Sequence, residues 1–561
     1  MLSQFILRRR RLIDEGNATR VFRLCALFTF ITLLALLASC GTPPQKQATI
    51  PATTPAPSAP IQSAQVTGSV ENKSDPLLQF SALEAPPAPR EFRAAWVSTV
   101  ANIDWPSRRD LSTEKQKAEI VAILDAAQQL KLNAIILQVR PSADAIYASE
   151  LEPWSEFLTG TQGKAPEPFY DPLQVWIELA HARGMELHAW FNPFRARSAL
   201  GKSIVHTKHV SKSLPHTVRS YGDLLWLDPA EPEATAHTSA VILDVVRRYA
   251  IDGVHIDDYF YPYPIKQANG QELDFPDEKP WNAYIQNGGT LVRADWRREH
   301  VNKLVESLNR QIHQIKPSLK FGISPFGIGR PDRLPNGIAG FSQYDKLYAD
   351  VELWLEKGWL DYLAPQLYWP IDQTPQAFKV LHAYWLSQNP MNRHVWPGLF
   401  TSKIDQSEKS WKVEEIQRQV EATREFAAGG HIHFSMIALL QNRRNLRQKL
   451  SVEQYQAPAL VPASAWLPSA ALLAPELKRN LADKTIEISV QNGVGGQGNS
   501  GARLLAIWKR YQQRWVFSVQ SLADKQISVA DDTELGAVEQ ITVSLVGQNG
   551  VESPRKNLKL K

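Results

Sequence analysis

Asp252-Gly253-Val254-His255-Ile256-Asp257-Asp258-Tyr259-Phe260-Tyr261 sets two adjacent acids at the end of a short apolar run and follows them with rings. Side chains alternate along a strand, so His255 and Asp257 share one face and Ile256 and Asp258 take the other. Ile256 suits the side covered by a helix, which directs Asp257 to the opposite side as a catalytic carboxyl and turns Asp258 away from it. A loop cap needs one acid, so two acids and an aromatic run point to chemistry on a bound molecule. If two carboxyls share acid and base chemistry, the second is expected from another strand-end loop. Asp104 and Asp144 are the leading candidates, with Glu152 behind them.

Other strand ends carry polar groups of matching parity: Gln138 and Arg140, then His188, Trp190 and Asn192, then Gln366 and Tyr368. Arg140 can fork onto a sugar-borne carboxylate, or equally serve as buried partner of Asp257 or another acid. The amides of Asn192 and Gln366 suit paired hydrogen bonds with sugar hydroxyls or an acetamido group. Trp105, Trp154, Trp369 and Tyr259 follow strands and can stack on sugar rings, whereas Trp176, Trp354 and Trp385 lie on helical segments and read as packing. Asp171-Pro172 and Asp228-Pro229 read as helix caps, with Glu231 completing a capping box and Asp295 capping a helix from Trp296. His431-Ile432-His433 starts its strand and so belongs at the end opposite the loops. No metal-ligand spacing, phosphate-binding glycine loop or Gly-x-Ser-x-Gly turn occurs, so no cofactor or metal is expected.

The elements that must position these groups form a repeating series. Eight apolar runs, Phe92–Val100, Asn133–Arg140, Glu186–Phe194, Gly253–Phe260, Lys320–Gly327, Asp361–Trp369, His394–Ser402 and Ile432–Leu440, alternate with amphipathic stretches such as Thr113–Lys131, Pro172–Arg183, Ala234–Ala250, Trp296–Lys316 and Val413–Ala427. Eight strand-then-helix repeats predict an α/β fold, a (β/α)8 TIM barrel, over residues 91–455. Helix-to-strand links are short and strand-to-helix links long (141–171, 193–233 and 261–295), which places the site on the face the long loops build. Residues 475–561 change texture to short strands with an Asn549-Gly550 turn and predict a fibronectin type III-like β-sandwich with an accessory role.

The 561 residues include 43% apolar and 21% charged types and 17 Trp, enough for buried cores in more than one domain. Six arginines against Asp14 and Glu15 in residues 1–39 account for four of the five net positive charges, which removes a global electrostatic case for nucleic acid. That Arg-rich start, followed by apolar Leu24–Leu37, predicts a signal peptide over residues 1–39. Leu37-Ala38-Ser39-Cys40-Gly41 resembles a bacterial lipobox, with Cys40 carrying the lipid and Gly41 suiting export to the outer membrane facing the periplasm. Cys25 falls in the discarded part, so the mature chain has one Cys and no internal disulfide. The tether 40–90, with ten Pro in residues 41–90, is predicted to be extended.

Arg93-Ala94-Ala95-Trp96-Val97, Asn102-Ile103-Asp104-Trp105-Pro106-Ser107, Gln138-Val139-Arg140-Pro141, Glu152-Pro153-Trp154-Ser155, His188-Ala189-Trp190-Phe191-Asn192-Pro193, Asp257-Asp258-Tyr259-Phe260-Tyr261-Pro262, Phe321-Gly322-Ile323-Ser324-Pro325-Phe326-Gly327 and Ala364-Pro365-Gln366-Leu367-Tyr368-Trp369 resemble, in order over roughly 90–450, the glycosyl hydrolase-like 10 family of bacterial lipoproteins. The resemblance implies a barrel glycosidase acting on peptidoglycan glycan strands, those stripped of stem peptides, with cell-envelope or divisome proteins as possible partners. It does not identify the second carboxyl, and a single-acid mechanism in which a group of the substrate attacks is open. Two other classes compete. One is a non-catalytic glycan-binding lipoprotein, and the other a metal-dependent deacetylase, which the missing ligand spacing disfavours.

Overall fold

Phe92–Val97 (β1), Ala134–Arg140 (β2), Glu186–Phe191 (β3), Gly253–Ile256 (β4), Lys320–Ile323 (β5) and Tyr362–Leu363 (β6) pair in parallel in sequence order. The seventh run is broken at Trp396-Pro397 into His394–Val395 and Gly398–Leu399, together β7, and Gly430–His433 is β8. The first half of β7 pairs with β6 and the second half with β8, which pairs with β1. Backbone amides of Trp396 and Gly398 donate to Leu363 and Pro365 at 2.8 Å, and those of Ile432 and Phe434 donate to Pro397 and Leu399 at 3.0 and 2.8 Å. The parallel ladder thus runs all the way round, as expected for eight βα repeats. This structure is a computed structural model describing residues 84–426, 429–469, 471–482, 484–490, 499–512 and 514–560. The signal segment 1–39, Cys40 and residues 41–83 of the tether lie outside the described residues. Among the described residues, no helix is long and apolar enough to cross a membrane.

The strands are shorter than the apolar runs, and they lose residues mainly at their carboxyl ends. There the runs leave the ladder to line the mouth, so their apolar character continues where the hydrogen bonding stops. Helices begin where caps permit. Ser112 accepts from Lys115 ahead of Thr113–Gln129, which buries Ile120, Ile123, Leu124 and Ala127 at helical spacing. Asp171 caps Pro172–Ala182 as expected, accepting from the Leu173 and Gln174 amides. The next helix starts at Pro232, three residues beyond the predicted Pro229, because Asp228 instead accepts from Ala230 and pairs with Arg219. Asp295 lies inside the first turn of Arg293–Ile315, paired with Arg298, rather than at its cap.

The barrel interior is filled by rings. The Tyr362 hydroxyl lies 2.8 Å from His188 Nδ1 and 3.0 Å from His255 Nδ1, and Phe92 stacks on Trp396 at 3.9 Å. Gly253 and Gly322 are required here, since a Cβ would come within 2.5 Å of the His188 ring and 2.1 Å of the Tyr362 ring. Long strand-to-helix loops gather at one end. The loop after β3 carries a small sheet of Arg195–Arg197, Val218–Tyr221 and Leu224–Leu227, and the loop after β4 a helix, Glu278–Gln286.

Beyond the barrel, Glu476–Asn480 (β9), Thr485–Ser489 (β10) and Gln526–Ser528 (β13) form one antiparallel sheet. Ala502–Tyr511 (β11), Arg514–Ser521 (β12), Gln540–Gly547 (β14) and Lys556–Lys559 (β15) form another, ordered β12-β11-β14-β15. Ile486, Ile488 and Ile527 of the first meet Leu505, Ile507, Val543 and Leu545 of the second in one apolar core. The loop after β14 docks on the barrel end opposite the long loops: the Gln548 carbonyl accepts from Lys320 Nζ at 2.9 Å, and its amide donates to Ile251 at 3.3 Å. Trp508 is fully buried against Leu460, with Arg555 over its ring at 4.1 Å, so it is core and offers no face to a glycan.

Candidate active site

The ladder of β4 ends at Ile256, and the chain bends at Asp258. Alternation therefore stops one residue before the acids, and the expectation that Asp258 turns away from the mouth is corrected. Asp257 leans toward β3, where its Oδ2 accepts from Trp190 Nε1 at 2.9 Å and from Asn192 Nδ2 at 3.2 Å. Its Oδ1 is buried with no hydrogen-bond partner. Asp258 leans the other way, accepting from the Tyr263 hydroxyl and held also by the Gln366 side chain after β6. Both are 3% exposed. Burial, opposed by Arg195 and augmented by the charge of Asp258, raises the Asp257 carboxyl from 3.8 to about 7. Burial also raises Asp258, against the hydrogen bonds from Tyr263 and Gln366. A carboxyl that keeps its proton near neutrality can donate it to a leaving oxygen.

Arg195 was not foreseen. Its Nε and Nη2 donate to the Pro141 carbonyl at 3.0 and 2.8 Å, its amide donates to Asn192 Oδ1 at 2.8 Å, and its guanidinium lies 4.8 Å from the centre of the Tyr259 ring. The signal available was its place three residues beyond Asn192, just past a strand-ending proline. Asn192 thus bridges Arg195 and Asp257 and is a positioning group rather than an open amide. Around these groups stand rings: Tyr263 stacks on Phe341 at 5.2 Å, Phe326 meets Trp369 edge-on at 5.5 Å, and Tyr368 stacks on Phe400 at 5.0 Å. Tyr263, Phe341, Tyr368, Phe400 and Trp411 are half-buried, with part of each ring open to solvent. Tyr259, Gln366, Tyr368 and Trp369 are at the mouth, where the strand reading put them.

Several expected site residues are occupied elsewhere. Arg140 is wholly buried: it forks onto Glu152 with contacts of 2.6 to 3.1 Å and donates to the Asn192 carbonyl at 2.7 Å, so it is no grip for a substrate carboxylate. Burial alone would raise Glu152, but Arg140 and His237 hold it at about 2. Asp104 accepts from the Ser98 amide, the Ser435 hydroxyl and the Ile437 amide, each at 2.8 Å, and fastens the first loop to the last. Asp144 is raised to about 7 by burial, against Ser155, but its hydrogen bonds, to Ser142 and Gln162, stay within its own loop. His188 is buried with both ring nitrogens engaged, by Tyr362 and Glu186. Trp105 is buried edge-on against Trp176 and donates to the Gln116 carbonyl, so it packs the barrel wall. Trp154 is half-buried on its loop beside exposed Phe169. His431 and His433 share the Tyr455 hydroxyl inside the barrel, and no group of three or more potential metal ligands occurs among the described residues.

A parallel eight-stranded ring with a buried, proton-holding acid where β4 opens into a rim of half-exposed rings has the architecture of a barrel glycosidase. The sequence agrees with that class: residues 91–413 match the family described as Glycosyl hydrolase-like 10, and the chain belongs to it. It is 39% identical over 459 residues to Glycosyl hydrolase YngK of Bacillus subtilis (strain 168), covering 79% of this chain and 88% of that protein. It is 32% identical over 419 residues to Glycosyl hydrolase DigH of Escherichia coli (strain K12), covering 70% of this chain and 88% of that one. Among solved structures it is similar to the glycoside hydrolase domain of PgaB (BpsB) from Bordetella bronchiseptica, with a TM-score of 0.43 and 15% identity over 65% of this chain and 99% of that domain. The protein is a glycosidase.

Proposed function

We propose that the enzyme cleaves glycosidic bonds in peptidoglycan glycan strands, those freed of stem peptides, with Asp257 as the proton donor to the leaving sugar. The observation that carries the catalytic reading is the unpartnered Oδ1 of a buried Asp257 whose other oxygen is pinned by Trp190 and Asn192. A pinned oxygen fixes the carboxyl's orientation, and the free one can present the proton. Asp258 works beside it, held by Tyr263 and Gln366 while Asn192, itself tied to Arg195, holds Asp257, and the half-exposed rings give successive sugars a stacking surface. The substrate class rests on the resemblance of the chain together with the Arg-rich signal and lipobox, which direct it to the cell envelope. In this reading Cys40 carries a lipid in the outer membrane, and the tether lets the barrel reach the wall from there. The strand orders of the two C-terminal sheets, β9-β10-β13 and β12-β11-β14-β15, support reading them as a fibronectin type III-like sandwich.

The test is digestion of isolated, peptide-free glycan strands by the purified enzyme, read by mass spectrometry for new reducing ends. Cleavage that disappears in a folded Asp257→Asn variant is expected. Binding without new ends would instead support a glycan-binding protein, and chelator-sensitive acetate release a deacetylase. For the anchor, Cys40→Ser is expected to leave the salt-washed membrane fraction, because one acyl chain supplies about 0.8 kcal/mol per buried CH₂. Retention there would refute lipidation at this residue.

A further inference from the structure

Hydrolysis by two protein carboxyls requires them on opposite sides of the scissile bond, about 5–5.5 Å apart for retention and 6.5–9.5 Å for inversion. The acids near this mouth are not arranged so. Asp104 is held by three donors from the first and last loops, Asp144 by its own loop, and Glu152 by Arg140 and His237. Asp257 and Asp258 are consecutive, with Cα atoms about 3.8 Å apart, and both rise from the end of one strand. Their carboxyls diverge, one toward Trp190 and Asn192 after β3, the other toward Tyr263 and Gln366 after β6. A sugar at this strand end meets both acids from the same side.

From this placement we infer that the nucleophile belongs to the substrate: the carbonyl oxygen of a 2-acetamido group on the sugar whose bond is cut, with Asp258 holding the amide N–H and Asp257 serving as acid and then base. The inference rests on the glycosidase reading of Asp257 given above and specifies its substrate as a 2-acetamido sugar. The carbonyl oxygen bonds to C1 as the C1–O bond to the leaving sugar breaks, and the leaving oxygen takes the proton of Asp257. The positive charge formed on the fused five-membered ring lies at its N–H, where the Asp258 carboxylate, fixed by Tyr263 and Gln366, accepts a hydrogen bond. Water then adds to C1 and gives a proton to Asp257, the C1–carbonyl bond breaks, and the acetamido group is restored with configuration retained. Protein groups return to their starting state, and one glycosidic bond has been hydrolysed. The charge of Asp258 is also among the causes that keep the proton on Asp257, so the two roles reinforce each other.

The experiment compares glycan oligosaccharides carrying acetyl, monofluoroacetyl and trifluoroacetyl groups at the 2-amino position, with the first-formed anomer followed by NMR. Each fluorine withdraws electrons from the attacking oxygen, so kcat/KM is expected to fall stepwise, by about 100-fold or more overall, with a retained product anomer. Asp258→Asn is expected to abolish this dependence along with most of the rate. Asp257→Asn is expected to keep turnover of substrates with a phenol leaving group, which needs little protonation, while losing about 100-fold or more on natural linkages. An inverted anomer, or equal rates across the series, would overturn participation by the substrate and leave the glycosidase reading standing. Failure to cut the unmodified acetyl oligosaccharide would overturn both.

Discussion

Replacing Asp257 by Asn should make the protein more stable in mild alkali while removing its activity on natural glycosidic linkages. The buried carboxyl titrates at about 7 in the folded protein against 3.8 when free. The folded state therefore binds this proton more tightly than the unfolded chain. Its contribution to stability is complete below about pH 3.8 and is lost as pH rises through about 7. The displacement is about three pH units, and at ~1.4 kcal/mol per unit the ionised group costs the folded state about 4 kcal/mol at pH 8. Asparagine keeps the shape and cannot ionise. Its oxygen can accept from Trp190 and Asn192 as Oδ2 does, leaving its NH₂ at the position of the unpartnered Oδ1. Urea melts of both proteins from pH 4 to 8 provide the assay. The variant should match the wild type near pH 4 and exceed it by up to about 4 kcal/mol at pH 8. Burial also raises Asp144 and Asp228 to about 7, so wild-type stability falls with pH for several reasons, and the difference between the two proteins isolates Asp257. Parallel curves over the whole range would refute the claim that Asp257 keeps its proton in the folded state.

Trp190→Phe removes one of the two side-chain donors to Asp257 and so disfavours its charged form by about 1.5–3 kcal/mol. The alkaline limb of the pH–rate profile should move up by about one to two units, and an unmoved limb would detach that limb from Asp257. Arg140→Met leaves Glu152 buried and unpaired except by His237, a loss of about 3–5 kcal/mol. The melting temperature should drop while the ratio of KM values for substrates with and without a carboxylate stays the same, and a selective rise for the carboxylate-bearing one would mean that Arg140 reaches substrate. Ending the chain after Trp466 strips Lys320 of its Gln548 partner and uncovers Leu460, so thermal stability should fall. Cleavage of short oligosaccharides by the folded fragment should persist, because β9–β15 contact the barrel end opposite the mouth, and a folded fragment inactive on them would show that the sheets complete the site.

Periodicity along the chain determined much of this protein. Eight apolar runs and unequal loop lengths were enough to predict the ring and the end at which its long loops gather, because strand and helix periodicity and βα repetition are local properties written residue by residue. Asp171 could be assigned as a cap for the same reason. What the sequence could not determine is which polar groups are already taken. Arg140, Asp104 and His188 have the types and spacing of ligand-binding residues, but Glu152, the Ser435 loop and Tyr362 occupy them from 12, 331 and 174 residues away. Alternation also misjudged Asp258, because the ladder stops at Ile256 and parity has no meaning past the last ladder bond. Arg195 became a site residue only when its loop folded back over Pro141 and Tyr259. The tertiary structure alone decided these points, because hydrogen-bond capacity is filled by whichever donor the folded chain brings within about 3 Å, and local pattern carries no record of partners so distant in sequence.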